Sequence, residues 1–161
     1  MDALSLLKDD HKKVRALLGE LAETTNRAEK TRTELLAKIA RELEVHTKIE
    51  EEIFYPAFKK AGENSDDNKM FFEAMEEHRA AGDLVLPDLL GTPTDSEKFS
   101  GRAKVLKELV EHHADEEEKE MFKRAKQLMD AAELKALGEQ LETRKLELVK
   151  QLKAEAKAGA R

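Results

Sequence analysis

The chain has 161 residues, a net charge of −6, 40% charged and 4% aromatic residues, and no cysteine. That length suits one domain with its own core, and the missing thiols exclude disulfides and thiolate metal sites. The acidic balance argues against nucleic acid and anionic membranes as partners. No apolar run reaches the roughly 18 residues of a membrane span. Lys8, Asp9 and Asp10 interrupt the short apolar start where a signal peptide would run on, so a cytoplasmic protein is expected. Abundant Glu, Lys, Ala and Leu predict an all-α fold.

Asp2 can cap a first helix reaching about Thr24, with Leu4, Leu7, His11, Val14, Leu18 and Leu21 on its inward stripe. A polar link over 25–30 leads to a second helix, expected over 31–60 and bent or weakened at Pro56, which has no amide donor. The loop 62–67 offers Ser65 and Asp66 as caps for a third helix ending at Leu90. Its inward face is Phe71, Ala74, His78, Ala81 and Val85. Gly91 to Thr94 breaks the chain, and Asp95 or Ser96 caps a fourth helix that continues to about Met129 on Ala103, Leu106, Val110, His113, Glu117 and Met121. A last amphipathic helix is expected over 132–158 on Leu134, Leu137, Leu141, Leu148 and Leu152. The predicted architecture is an up-down-up-down four-helix bundle over 1–130 with an additional C-terminal helix within 131–161. The leucine stripe of that helix packs on the bundle or on a second copy, so a monomer or homodimer is expected.

The chain is organised around His46 to Pro56, HTKIEEEIFYP. Leu36, Ile39, Leu43, His46, Glu50 and Ile53 follow helical spacing, so His46 and Glu50 stand where the pattern calls for leucine. A buried charge without a partner costs several kcal/mol, and a metal ion is the obvious neutraliser. A shift of 67 residues carries His11 onto His78, His46 onto His113 and Glu50 onto Glu117, with Asp9-Asp10 falling on Glu76-Glu77. Taken singly, each histidine reads as a satisfied core or surface residue, and a lone His-x-x-x-Glu fits a solvated charged face. Six polar groups in apolar registers, repeated in order, read instead as a metal site.

His112 with Glu116 offers a competing pair, but His112 falls on Val45 under the repeat while His113 falls on His46. The ligand reading is therefore His113 and Glu117, with His112 a flanking residue and the rest of Glu116-Glu117-Glu118 a solvated face. Tyr55, the only tyrosine, reads mainly as packing, with a hydrogen-bonding or redox part open. Four imidazoles and two carboxylates exceed one tetrahedral zinc and suit two ions of higher coordination number bridged by both carboxylates. No Glu lies three residues before a histidine, which removes a ferritin-like di-iron site, and His-Glu-x-x-His is absent.

Asp10-His11-Lys12-Lys13-Val14, His46-x-x-x-Glu50 through Tyr55-Pro56, Glu77-His78, and His112-His113-x-x-x-Glu117 through Phe122 resemble the hemerythrin-like family, the HHE cation-binding domain, over about residues 2–130. Lys123 stands where that family often has proline. The resemblance implies a non-haem di-iron centre, oxo- or hydroxo-bridged, with His11 and His46 on one iron, His78 and His113 on the other, and Glu50 and Glu117 bridging. Oxygen-carrying hemerythrins have a fifth histidine ligand; Ala74 and Gly82, one turn to either side of His78, cannot supply it, which leaves a free position at each iron. The resemblance further implies binding of, or reaction with, O2, peroxide or nitric oxide, in sensing, stress protection or iron handling. The rival readings are a di-iron enzyme of catalase-like or peroxidase activity, and a helical interaction module whose metal is structural.

Overall fold

The computed structural model describes residues 1–159, which form five helices and no strand. The Asp2 carboxylate accepts from the Ser5 amide at 2.8 Å and starts α1, Ala3–Glu23. Helix α2 covers 29–61 without a break, in three segments: Glu29–Ile49, a π-helical turn Glu50–Phe54, and Tyr55–Ala61. Helix α3 covers 65–90 and is also continuous, with a π-helical stretch Arg79–Val85 between Ser65–His78 and Leu86–Leu90. Helix α4 covers 97–128 with a π-helical turn at Glu117–Met121, and α5 is Ala131–Gly159. The last two residues of the expected 131–161 segment lie outside the described residues.

One local expectation is corrected. Asn64, not Ser65 or Asp66, caps α3: its side chain accepts from the Asp67 amide at 3.0 Å. Asp67 itself is drawn into an ion pair with Arg124 of α4 at 2.7 Å. Pro56 does not break α2. The π-turn just before it widens the backbone, so the missing amide and the proline ring are absorbed where the hydrogen-bond ladder already changes register. Pro87 follows the π-stretch of α3 in the same way.

The helices alternate in direction, as two apolar clusters show. One holds Leu4 and Leu7 of α1, Ile49 and Phe58 of α2, Ala74 of α3 and Phe122 of α4. The other holds Val14 and Leu21, Leu36 and Ile39, Leu86 and Leu89, then Phe99 and Leu106. Each helix thus runs from one cluster to the other, opposite to its predecessor, which gives the up-down-up-down bundle. The far end is closed by Arg32, only 2% exposed, which donates to the carbonyl oxygens of Thr94 at 2.6 Å and Thr24 at 3.1 Å and to the Ser100 hydroxyl at 2.9 Å. Helix α5 lies across α1 and α2, and its Leu134, Leu137, Leu141 and Leu148 join the first cluster. Between the two apolar clusters sits one polar layer.

Candidate metal centre

All six expected residues meet in that layer, each 9% exposed or less. The Nε2 atoms point inward. Glu50 Oε1 lies 2.7 Å from His46 Nε2 and 3.2 Å from His78 Nε2. Glu117 Oε1 lies 3.2 Å from His11 Nε2, and its Oε2 lies 3.1 Å from His113 Nε2. Two donor sets result, His11, His46, Glu50, Glu117 and Glu50, His78, His113, Glu117, each with its donor atoms within 4.8 Å of one another. Both carboxylates belong to both sets. His11 Nε2, His46 Nε2, both Glu50 oxygens and Glu117 Oε1 are buried without a hydrogen bond. Orphaned lone pairs facing one another are costly in an apolar core, and a cation is the species that satisfies them all. The residues present therefore fit a pair of metal ions.

The Nδ1 atoms point outward, each to a carboxylate. His46 meets Asp10 at 2.9 Å, His113 meets Glu77 at 2.8 Å, His11 meets Glu118 at 3.0 Å and His78 meets Glu51 at 3.2 Å. Asp10 with Glu77, and Glu51 with Glu118, are again 67 residues apart. An Nδ1–H donated to carboxylate fixes the tautomer and leaves Nε2 free as a metal ligand. These four were missed as partners, and Glu118 corrects the expectation of a purely solvated face. The signal was available, because the repeat that aligns the ligands also aligns their carboxylates. Register is as expected at the fourth helix: His113 is buried, while His112 is turned outward beside Glu77 at 3.5 Å and Glu116 at 3.4 Å.

The π-turns of α2 and α4 begin on Glu50 and Glu117, again 67 apart. Symmetry fails elsewhere. Tyr55 falls on Phe122, and only the tyrosine is polar: its hydroxyl donates to Glu117 Oε2 at 2.5 Å and lies 3.1 Å from Nε2 of both His78 and His113. Packing is thus only part of its role. Burial together with Glu117 and Glu50 pushes the phenol well above its usual range, so it remains a donor. Burial opposes charge on His46, yet Glu50 and Asp10 outweigh it and raise its pKa to about 10. His113 is likewise raised, against its burial, by Glu117 and Glu77. Protons and metal ions compete for these lone pairs, so metal uptake at neutral pH releases protons.

Residues 2–125 match the family model described as the hemerythrin HHE cation binding domain. The chain belongs to that family. An uncharacterized protein of Mycobacterium tuberculosis is 30% identical to this hemerythrin-like chain over 145 residues, covering 89% of the chain and 85% of that protein. The crystal structure of a hemerythrin HHE cation binding domain-containing protein from Mycobacterium kansasii superposes with a TM-score of 0.84 at 28% identity, covering 100% of this chain and 95% of that one. A DNA nickase of Nostoc is 26% identical over 122 residues, which are 76% of this chain but 33% of that protein. The buried His/Glu layer of this hemerythrin-like protein is a donor cluster that could hold a cation, with a cavity of about 40 Å³ beside it. All four inward histidines line that cavity, together with the apolar Val14, Leu43, Ala81, Val110 and Ala114.

Proposed function

We propose that this chain is a non-haem di-iron protein that binds or reacts with O2, peroxide or nitric oxide. His11 and His46 hold one iron, His78 and His113 the other, and Glu50 and Glu117 bridge both. The observation that carries this reading is the sharing of both carboxylates by two donor sets whose lone pairs otherwise go unsatisfied. Nitrogen and oxygen donors in this number suit iron at five or six coordination. Iron would supply the electrons of any reaction with the bound ligand. The chain itself offers a small cavity of about 40 Å³ with mostly apolar walls beside the donor layer, which suits a small ligand. The metal-binding unit in this reading is 1–130, and the accessory helix Ala131–Gly159 lies within 131–161.

A second reading, a peroxide-consuming enzyme, is favoured by Tyr55, whose hydroxyl sits among the second donor set and can hold a proton at Glu117 Oε2. Elemental analysis of natively purified protein should give close to two irons per chain. Azide should perturb the visible spectrum of the oxidised form. Tight zinc at one site, with no second ion after iron reconstitution, would refute the di-iron reading. Sustained oxygen release from hydrogen peroxide would select the enzyme, and a long-lived reversible oxygen adduct the carrier.

A further inference from the structure

The two halves of the bundle are alike at the ligands but unlike at their outer walls. The 40 Å³ cavity is lined by His11, His46, His78 and His113, so it lies against the donor layer. Three of its lining residues, Leu43, Thr47 and Gly82, also line an open surface cleft between α2 and α3. They stand between cavity and cleft. Under the 67-residue repeat these positions correspond to Val110, Ala114 and Arg15. Val110 and Ala114 line the opposite side of the same cavity, between α1 and α4. There Arg15 takes the place that glycine holds at 82. Its guanidinium reaches across to α4, meeting Asp115 at 2.6 Å and Glu118 at 3.1 Å, and straps the two helices together.

The backbone breaks the symmetry in the same place. Gly82 lies in the π-helical stretch Arg79–Val85, whereas residues 12–18 of α1 are regular α-helix. A Cβ built on Gly82 meets no atom within 4 Å. The glycine is therefore demanded by neither packing nor a left-handed backbone, and a helix interior disfavours it by about 1 kcal/mol relative to alanine. Lys48, which lines the cleft, is turned along its own helix to Glu44 at 3.0 Å.

We propose that small ligands reach the centre through a door between α2 and α3 across Gly82, and that Arg15 shuts the equivalent passage between α1 and α4. The proposal rests on the reading that the centre takes a small ligand, and its test separates the two. Gly82→Leu puts a side chain into the wall without touching a donor residue. Gly82→Leu with Arg15→Gly moves the door to the other side.

Two probes read the passage. The first is stopped-flow azide binding to the iron-loaded protein. The second is quenching of Tyr55 fluorescence by dissolved oxygen in the zinc-loaded protein, which needs no reaction at the metal. With one tyrosine and no tryptophan, the emission comes from the centre alone. Gly82→Leu should slow both by about tenfold at unchanged metal content, as a step requiring local opening does. The double variant should recover most of the rate. Wild-type rates in Gly82→Leu by oxygen quenching would overturn the door, and a double variant as slow as the single would overturn the role of Arg15. If azide fails to bind iron-loaded wild type while Gly82→Leu still slows quenching, the door stands and the functional reading falls.

Discussion

Every imidazole of the centre is held by a carboxylate at Nδ1 and turns its Nε2 into the donor layer, and this decides how single substitutions act. His113 and Glu117 are predicted to matter where His112 and Glu116 do not. His113→Ala should remove one ion and leave at most one iron per chain, while His112→Ala, at a side chain 64% exposed, should keep both. Glu117→Ala should be worse than either, since it belongs to both donor sets. Metal analysis of the purified variants is the check, and loss of iron in His112→Ala alone would move the site by one residue. The donor residues were legible in the sequence because a histidine in a leucine register is a contradiction that periodicity exposes. Tyr55 was not, because Phe54-Tyr55 reads as packing until the chain has folded Glu117, 62 residues on, to within reach. Arg32 was equally hidden: a lysine- and arginine-rich helix gives no sign of which cation will be buried, and its partners are neutral oxygens on other segments.

At the level of elements, helix identity and direction followed from the apolar stripes, but the π-turns did not. They change the hydrogen-bond register without changing composition, and only Pro56 left a trace, read as a bend or weakening of α2. The π-turn of α4 has Lys123 at that position and forms regardless; it shares with the π-turn of α2 a buried carboxylate at its start, whereas the π-stretch of α3 begins on Arg79. Helix α5 shows a different kind of constraint. A methyl on Gly138 would overlap the Met1 carbonyl oxygen and lie 2.7 Å from the Asp2 carbonyl carbon and 2.8 Å from the Ala3 nitrogen, all of them backbone. Gly138→Ala is therefore expected to lever α5 off the start of α1 and cost about 1–3 kcal/mol. Gly101→Ala, with nothing within 4 Å, should instead stabilise by up to about 1 kcal/mol. Thermal melts of the pair give the answer, and two variants shifted alike would show that the close approach is not constraining.

For the whole molecule, the question is how far the bundle stands without its last helix. Leu134, Leu137, Leu141 and Leu148 are each 9% exposed or less against a cluster shared with α1, α2 and α4. At roughly 1.5–3 kcal/mol for each buried leucine, their loss is comparable to the ~5–15 kcal/mol net stability of a domain. Truncation after residue 130 should thus lower the melting temperature of metal-free protein by tens of degrees, and a melt within a few degrees of the full chain would refute the estimate. The same helix sends Lys145 onto Asp10, the carboxylate that orients His46. The bundle prediction anticipated a leucine stripe seeking a partner, but not this thread from the end of the chain to its beginning.

That thread has a consequence in time. His11 finds its orienting carboxylate 107 residues downstream, and Asp10 meets its lysine 135 residues downstream. A chain emerging from the ribosome at about 5–20 residues per second shows its first two histidines and Glu50 long before the groups that complete either donor set exist. Metal captured then would sit at a half-built, solvent-washed site. Both donor sets include Glu117, so a complete site exists only once the fourth helix has been made.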